Sequence, residues 1–330
     1  MLLSVVVPTY NRRHSLQTTL NGLARQRFSS AEFEVVVVSD GSTDDTDVML
    51  AEMAKQVPFQ LRAVTQENAG PSRARNRGIQ EAIGQVIVFL DDDVEPGPDF
   101  LAVHASHHKP GVNVAVIGPM VPDPVLRRRE PCWIAWEHQM LEKQYRAWRT
   151  GEWTGVGPNH FYSGNSSVER HALLTVGGFD ETFKRQEDVE LAVRMQRECG
   201  MSFAFDAEAW GTHRPQRTFA SWEKIPLSYG ALDVERAERG HLEWQSLRKS
   251  FQGRNPATRA SFRLCYAVPS LDIPLRKTLL SLAQTAWSLN QERAAINALS
   301  VLYNVLYLQA ASKRLGTAKR VQEVLLTPGS

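Results

Sequence analysis

The stretch Val86-Ile87-Val88-Phe89-Leu90-Asp91-Asp92-Asp93 joins an apolar run directly to three carboxylates. A short continuous apolar run, followed closely by Gly97 and Pro98, is typical of a buried strand that ends in a turn. An exposed acidic turn is one explanation for the carboxylates, but ligands of open α/β sheets bind at the carboxyl ends of strands. Mg²⁺ or Mn²⁺ suits such a position, because hard cations are held by carboxylates together with substrate phosphates. The stretch therefore predicts a metal–diphosphate site.

Strand and helix patterns alternate on either side of this stretch. Strands are predicted over residues 2–7, 34–38, 61–64, 86–90 and 114–117, and helices from Asn11 to about 27, over about 44–55 and over 72–83. This alternation favours an α/β fold with a mostly parallel sheet flanked by helices. From about residue 217 the pattern is helical, which predicts a helical C-terminal extension.

Composition excludes several classes of protein. The chain has 330 residues, 42% of them hydrophobic, and a net charge of +2, so we expect no nucleic-acid partner. Three scattered cysteines form neither a disulfide framework nor a metal-ligand spacing, which favours the reducing cytoplasm. We find no signal-peptide pattern at the N-terminus and no clear run of about 18 apolar residues that would span a membrane.

Polar residues also end the first two predicted strands. Thr9 and its neighbours follow the first strand, and Asp40 follows the second. In a parallel sheet these ends lie at one edge with Asp93, where Thr9 could contact a base or ribose and Asp40 could accept a hydrogen bond from either. We also expect Asn11 and Ser42 to cap the helices that follow.

A basic turn precedes the third helix. Asn68 to Asn76 contains Gly70 and Pro71, and three arginines follow at positions 73, 75 and 77. A guanidinium group can bind two diphosphate oxygens at once, although Arg75 and Arg77 could equally lie on a solvated helix face. Neither a Gly-x-Gly-x-x-Gly nor a Gly-Lys-Ser/Thr phosphate loop is present, which argues against dinucleotide redox chemistry and P-loop phosphoryl transfer.

Later residues supply a candidate base and a further candidate ligand. Glu187 and Asp188 begin a predicted helix, where they could simply favour its dipole or could act as a general base. His213 could be structural or could complete the metal site, since imidazole binds Mn²⁺ tolerably well.

Taken together, these pieces resemble a family-2 glycosyltransferase of the GT-A fold, over residues 3 to about 214. The matching segments are Val5–Asn11, Val37–Asp44, Asn68–Gly78, Phe89–Asp93, Gly177–Asp180 and Glu187–Leu191. The resemblance implies a Rossmann-like sheet and inverting transfer of a sugar from a nucleoside-diphosphate sugar, most often a UDP-sugar, to an acceptor hydroxyl. It also implies Mn²⁺ or Mg²⁺ as cofactor.

Roles follow from the resemblance by position. It implies that Pro8, Thr9 and Tyr10 line the nucleotide pocket, that Asp40 reads the base and that Arg73 lies towards the diphosphate. Asp91 and Asp93 match the acidic positions of an Asp-x-Asp motif, with Asp93 as metal ligand, Asp91 near the ribose or metal-bound water, and Asp92 in the variable middle position. Asp188 becomes the catalytic base, Glu187 helps to orient the acceptor, and His213 is a second metal ligand.

These assignments predict three regions. Residues 1–216 form the catalytic domain, with a nucleotide-binding half at about 1–120 and an acceptor-binding half at about 121–216, and residues 217–330 form the helical extension. Trp133, Trp136, Trp148 and Trp153 either border the acceptor site or pack against the sheet, and Ser163, Gly164 and Asn165 are candidates for the donor-sugar pocket. The acceptor is a carbohydrate, a lipid-linked molecule or a small molecule. The extension packs on the catalytic domain, forms a homodimer or contacts the inner face of the membrane.

Two other classes are considered. A sugar nucleotidyltransferase shares a similar sheet, but it needs a Gly-rich loop with Arg and Lys after the first strand, where this chain has Pro8-Thr9-Tyr10-Asn11. A degenerate, non-catalytic GT-A partner or scaffold protein would lack the acidic motif or the base, and this chain retains both.

Overall fold

The computed structural model describes residues 2–127, 129–183, 185–240 and 242–326. The chain divides into two compact units, Met1–Arg127 with Met140–Pro215 and Arg128–Gln139 with Gln216–Ser330. Residues 128–139, which the sequence interpretation placed in the catalytic domain, therefore cluster with the helical unit.

The first unit is an α/β sandwich whose strands are joined mostly through helices. In chain order its elements are β1 (Leu3–Thr9), α1 (Arg13–Ala24), β2 (Phe33–Asp40), α2 (Thr46–Met53), β3 (Gln60–Gln66), α3 (Pro71–Glu81), β4 (Val86–Leu90), β5 (Val94–Pro96), α4 (Phe100–His107), β6 (Val114–Ile117), β7 (Met120–Pro122), α5 (Cys132–Arg149), β8 (Asn165–Glu169), α6 (Arg170–Thr175), α7 (Glu187–Cys199), β9 (Ser202–Phe205) and β10 (Gly211–His213). The unit boundary falls within α5, between Gln139 and Met140. The predicted strands and helices of the first 117 residues are all present.

The central sheet has the order β3-β2-β1-β4-β8-β6-β9. Every neighbouring pair is parallel except the two made by β8, which runs antiparallel to both β4 and β6. The sheet is thus mostly parallel, as predicted. Because β1, β2 and β4 run in the same direction, their carboxyl ends lie at one edge and carry Thr9, Asp40 and the acidic turn after Leu90.

Helices cover both faces of this sheet, which explains why its central strands are apolar without alternation. On one face Leu16, Leu20 and Leu23 of α1 pack with Met49 and Leu50 of α2 and the inward residues of the strands. The other face is covered by α3, α6 and α7, with buried residues that include Ile79, Leu173, Leu191 and Met195.

A second, three-stranded sheet of order β5-β10-β7 adjoins the acidic turn. His213 of β10 is opposite Val94 of β5 and Pro122 of β7. Arg214 then joins the small sheet through ion pairs, since its Nε and Nη1 lie 2.7 Å from Asp123 and 2.6 Å from Glu95. This arrangement brings residue 213 back to the acidic turn, more than a hundred residues away in sequence.

The second unit is helical, as expected for the C-terminal extension. It comprises α8 (Phe219–Glu238), α9 (Trp244–Gln252), α10 (Pro256–Ala267), α11 (Asp272–Ser288), α12 (Glu292–Leu315) and α13 (Ala318–Val321), with a 3₁₀ turn at Pro269–Leu271 and a π-helical turn at Gln322–Leu326. Among the described helices, α12 alone is long and apolar enough to cross a membrane by length and composition. Residues such as Leu299, Leu302 and Leu306 on α12 are buried, and its neighbours include α8, α10 and α11.

The predicted helix caps at Asn11 and Ser42 are wrong. The residues that precede α1 and α2 are Arg12 and Asp45. Asn11 has φ +53°, and its side-chain oxygen accepts from the backbone N–H of Thr43 at 2.7 Å, while Ser42 Oγ accepts from the N–H of Asn11 at 3.1 Å. The two loops satisfy each other's polar groups across the sheet edge, so neither side chain is available to its own helix.

Candidate active site

The acidic turn is fixed at the sheet edge by backbone contacts with β8. The N–H of Asp91 donates to the carbonyl of Gly164 at 3.0 Å, directly beyond the paired residues Leu90 and Asn165. A Cβ atom at Gly164 would lie 2.7 Å from Asp91 Oδ2 and 2.9 Å from Met120 Sδ. A side chain at position 164 would therefore displace the Asp91 carboxylate or the Met120 side chain from its present position.

Arg75 is the cation at the centre of the site. Its guanidinium is buried, lies 2.9 Å from Asp91 Oδ1 and 3.9 Å from Glu187 Oε1, and stands over the ring of Phe179 at 5.7 Å. Burial alone would lower the pKa of Arg75, but attraction by Asp91, Asp188 and Glu187 raises it. This arginine therefore connects the acidic turn to the start of α7.

Asp188 is held in the first turn of α7. Ser163 Oγ, which is buried just before β8, donates to Asp188 Oδ1 at 2.7 Å. Burial, together with the neighbouring Glu187 carboxylate, raises the pKa of the Asp188 carboxyl to about 6 against the lowering effects of Arg75 and of the Ser163 hydrogen bond. A carboxyl poised near neutrality and within reach of a fixed cation has the properties of a general base.

Asp93 and His213 are the predicted metal ligands, and the small sheet brings them together. His213 Nε2 lies 3.6 Å from Asp93 Oδ1, and Arg12 Nη1 lies 3.3 Å from Asp93 Oδ2. The backbone N–H of Arg214 donates to the carbonyl of Asp93 at 2.9 Å, which fixes β10 against the turn.

The donor chemistry of Asp93 and His213 fits a divalent cation, because a carboxylate oxygen and an imidazole nitrogen at this separation can reach the same ion. Within the part of the chain that the structure describes, no cluster of three or more His, Cys, Asp or Glu side chains could hold a metal by itself. The two residues therefore fit a cation whose remaining ligands come from substrate oxygens and water.

The side chain of Asp92 points towards β1, in the interior of the first unit. Its carboxylate accepts from Thr9 Oγ1 at 2.7 Å, and its carbonyl accepts from Thr19 Oγ1 at 3.1 Å. Burial and the adjacent Asp93 raise the pKa of Asp92 to about 7. Asp92 thus joins the acidic turn to β1 and α1, and this occupies Thr9, which the resemblance assigned to the nucleotide.

Asp40 organises the loop that follows β3. Its carboxylate accepts from Gln66 Nε2 at 2.7 Å and from the backbone N–H groups of Ala69 and Gly70 at 3.0 and 2.8 Å. Three donors leave one of about four acceptor positions on the carboxylate for a ligand. The loop before α3 is therefore formed around Asp40, at the same edge as the acidic turn.

Other candidates lie at the surface. Arg73 is exposed on α3, and Arg77 is exposed and pairs with Glu81 at 2.7 Å, as expected for a solvated face. Pro8 is half-buried and Tyr10 is 48% exposed beside the strand end. The alternative of a solvated face is wrong for Arg75, which is buried.

The four tryptophans divide between the units. Trp133 and Trp136 belong to the helical unit, where the ring nitrogen of Trp133 donates to the carbonyl of Arg217 and that of Trp136 to Ser300. Trp148 and Trp153 belong to the first unit and contact the ring of His160. Trp153 is 42% exposed, so it alone of the four presents a large accessible ring.

The mostly parallel sheet and the acidic turn at its edge are those of the GT-A fold. Two solved structures share this fold: a mannosyltransferase from Pyrobaculum calidifontis in complex with GDP-Man and Mn²⁺ (TM-score 0.54, 19% identity, 97% of this chain and 77% of that one) and residues 1–349 of S. aureus TarS in complex with UDP-GlcNAc (TM-score 0.53, 19% identity, 96% and 93%). At this identity the likeness concerns the fold.

The profile of Glycosyl transferase family 2 matches residues 4–195, and the chain belongs to this family. It is 33% identical over 275 residues to validoxylamine A glucosyltransferase of Streptomyces hygroscopicus subsp. jinggangensis, covering 73% of this chain. The aligned part spans 61% of that relative. The resemblance to family 2 predicted from the sequence is thus confirmed.

Proposed function

We propose that this protein transfers a sugar from a nucleoside-diphosphate sugar, with UDP as the nucleotide, to an acceptor hydroxyl with inversion at the anomeric carbon. The observation that carries the proposal is the chain of contacts from Asp91 through Arg75 to Glu187 and Asp188. It joins the acidic turn that would face a donor to a carboxyl suited to act as a base. The acidic turn at residues 91–93 and the candidate base Asp188 are both intact, which favours a catalytic role over a scaffold role.

Asp188 would accept the proton of the acceptor hydroxyl as that oxygen attacks the anomeric carbon. Ser163 holds the carboxylate in one orientation through the 2.7 Å hydrogen bond, and the raised pKa makes the carboxylate a stronger base than an ordinary aspartate. Attack from the face opposite the departing diphosphate inverts the configuration. Glu187, next in the same helical turn, would orient the acceptor.

The leaving diphosphate gains negative charge as its bond to the sugar breaks. Asp93 and His213 would hold Mn²⁺ or Mg²⁺, which when bound supplies electrostatic stabilisation of that charge. Arg12, now 3.3 Å from Asp93, is a cation already positioned at this edge. Arg73 is exposed on the neighbouring helix and remains our prediction for the outer side of the diphosphate.

The nucleotide and the acceptor would occupy different parts of the edge. Asp40, with Tyr10 and Pro8 at the adjacent strand end, would receive the base, and the remaining acceptor position on Asp40 suits the N–H of uracil. Solved structures that share this fold contain UDP-GlcNAc or GDP-Man, which supports a nucleoside-diphosphate sugar, and our choice of UDP rests on the family resemblance. On the acceptor side, the exposed ring of Trp153 offers an apolar face to a sugar.

The test is donor turnover across nucleoside-diphosphate sugars, measured as release of nucleoside diphosphate with Mn²⁺, with Mg²⁺ and with chelator. We expect slow metal-dependent release of UDP from one UDP-sugar.

Asp93→Asn should lower this release of UDP by about 10²-fold or more, because the cation loses a charged ligand. Glu181→Gln, which removes an exposed carboxylate of the same unit, is the control. Release that is unaffected by chelator would contradict the metal assignment, and no binding of any donor would favour a scaffold.

The pH dependence of transfer should report Asp188. Since the base acts in its deprotonated form and its pKa is raised to about 6, kcat/KM should fall about tenfold for each pH unit below 6 and level off above it. The measurement is transfer at subsaturating acceptor from pH 5 to 8, with donor binding measured in parallel. A profile that stays flat down to pH 5 would contradict the assignment of Asp188.

A further inference from the structure

The helical unit carries an apolar surface at the connection between α10 and α11. Residues 264–273, which we call the apolar turn, expose five large apolar side chains: Leu264, Tyr266, Val268, Leu271 and Ile273. With Leu282 and Leu289 of α11, they make up seven of the seventeen exposed large apolar side chains of the described residues. Single exposed apolar residues are ordinary, but a cluster of this kind marks a surface that meets a partner or a membrane.

The inner side of the same segment is firmly packed. Phe262 and Cys265 of α10 are only 3% and 5% exposed, and Ala283 of α11 is fully buried. The side chain of Asn255 caps α10 by accepting from the N–H of Thr258 at 2.7 Å. The apolar turn is therefore the outward side of a connection whose two flanking helices are both anchored on α12.

Positive charge surrounds the apolar turn. Residues 244–291 contain seven Lys and Arg residues and a single carboxylate, Asp272, for a net +6 in a chain whose total is +2. Asp272 pairs with Arg276 at 2.7 Å, and Glu223 of α8 pairs with the same guanidinium at 3.2 Å, so these two carboxylates are held by Arg276 and not by the other cations. Arg259, Arg263 and Lys277 are exposed on either side of the turn.

We propose that the apolar turn and its basic flanks form a binding surface for a membrane that contains anionic lipid. Exposed apolar side chains inserted among the headgroups, with Lys and Arg at the level of the lipid phosphates, are the combination that holds peripheral proteins at such membranes. A second copy of this chain fits less well. A two-fold symmetric dimer through this surface would place one +6 segment against the other, and like charges opposed across an interface are unfavourable.

The test is co-flotation of the full chain with phosphatidylcholine vesicles that contain or lack phosphatidylglycerol. We expect binding to the anionic vesicles that weakens as salt is raised, and little binding to the neutral ones. Val268→Asp with Leu271→Asp should abolish binding. Arg259→Glu with Lys277→Glu should lower the partition coefficient at least 25-fold, since each cation near the surface contributes about 1 kcal/mol, or roughly fivefold.

Val125→Asp and Ile83→Asp are matched controls, because both alter exposed apolar residues of the other unit and should float with the vesicles like the parent protein. Circular dichroism and donor turnover in solution should be unchanged in every variant, so a failure here is distinct from a failure of the proposed transfer reaction. If the parent protein did not float with the anionic vesicles, the proposal would be overturned. It would also be overturned if light scattering showed a dimer that Val268→Asp dissociates.

Discussion

Asp188→Asn should lower transfer by about 10²- to 10⁴-fold, the range that a positioned general base contributes. Asparagine keeps the size of the side chain and can still accept the hydrogen bond from Ser163, but it cannot take a proton. Donor binding should remain near the parent value, since we assign Asp188 to the acceptor and not to the donor. The measurement is product formation at saturating donor, with donor affinity determined separately by titration.

Glu198→Gln is the matched control for Asp188→Asn, because it removes a carboxylate from the other end of α7 and should leave transfer unchanged. The double variant Glu187→Gln with Asp188→Asn should abolish transfer while still binding nucleotide. If Asp188→Asn or this double variant turned over like the parent protein, Asp188 would lose its role as base. Loss of donor binding would instead indicate a structural defect in the site.

The sequence predicted the strands and the acidic edge because those features are local. Residues 86–93 place an apolar run directly before three carboxylates, and strand order in parallel sheets brings Thr9 and Asp40 to the same edge. The sequence also singled out Asp188 and His213 as candidates, and the family resemblance implied their roles, but no local pattern would have placed either of them beside residues 91–93.

Side-chain direction was less accessible to sequence reasoning. Arg73 and Arg75 occur in one basic segment, and only their rotation on α3, about 200° apart, makes one exposed and the other buried. That rotation is fixed at long range: Asn76 Nδ2 donates to the carbonyl of Phe179 at 2.9 Å, and the N–H of Phe179 donates back to Asn76 at 2.8 Å. Helical periodicity in residues 71–81, with Ala74, Gly78 and Ile79 on the buried side, was the available signal for Arg75.

The hydrogen bonds between the loops of Asn11 and Ser42 could not be predicted from the sequence either, because they also depend on long-range packing. Asn11 and Ser42 look like helix caps because each precedes a helix, and that interpretation treats each helix alone. In the folded chain the two loops are neighbours and exchange hydrogen bonds, a result that depends on pairing β1 with β2. Competition between a local and a tertiary partner for one polar group cannot be decided from either segment separately.

Arg75→Met should lower both the stability of the protein and its rate of transfer. It removes a guanidinium that lies beside Asp91 and Glu187 and attracts Asp188, leaving three carboxylates close together. Breaking a buried ion pair by removing one partner costs about 3 kcal/mol or more, so the melting temperature should fall by several degrees. Transfer should fall by at least 10³-fold, measured with donor affinity and thermal unfolding on the same preparations.

The pH profile separates a direct electrostatic role of Arg75 from a merely structural one. Arg75 lowers the pKa of Asp188, so Arg75→Lys, which keeps the charge but not the two-pronged geometry, should keep the profile close to that of the parent. In Arg75→Met the remaining activity should reach its plateau only at higher pH, because the neighbouring carboxylates then disfavour ionisation of Asp188. Arg73→Met and Arg77→Met, on the exposed side of the same helix, should leave both the melting temperature and the position of the profile unchanged. An unshifted profile in Arg75→Met would mean that Arg75 supports the fold without tuning the base.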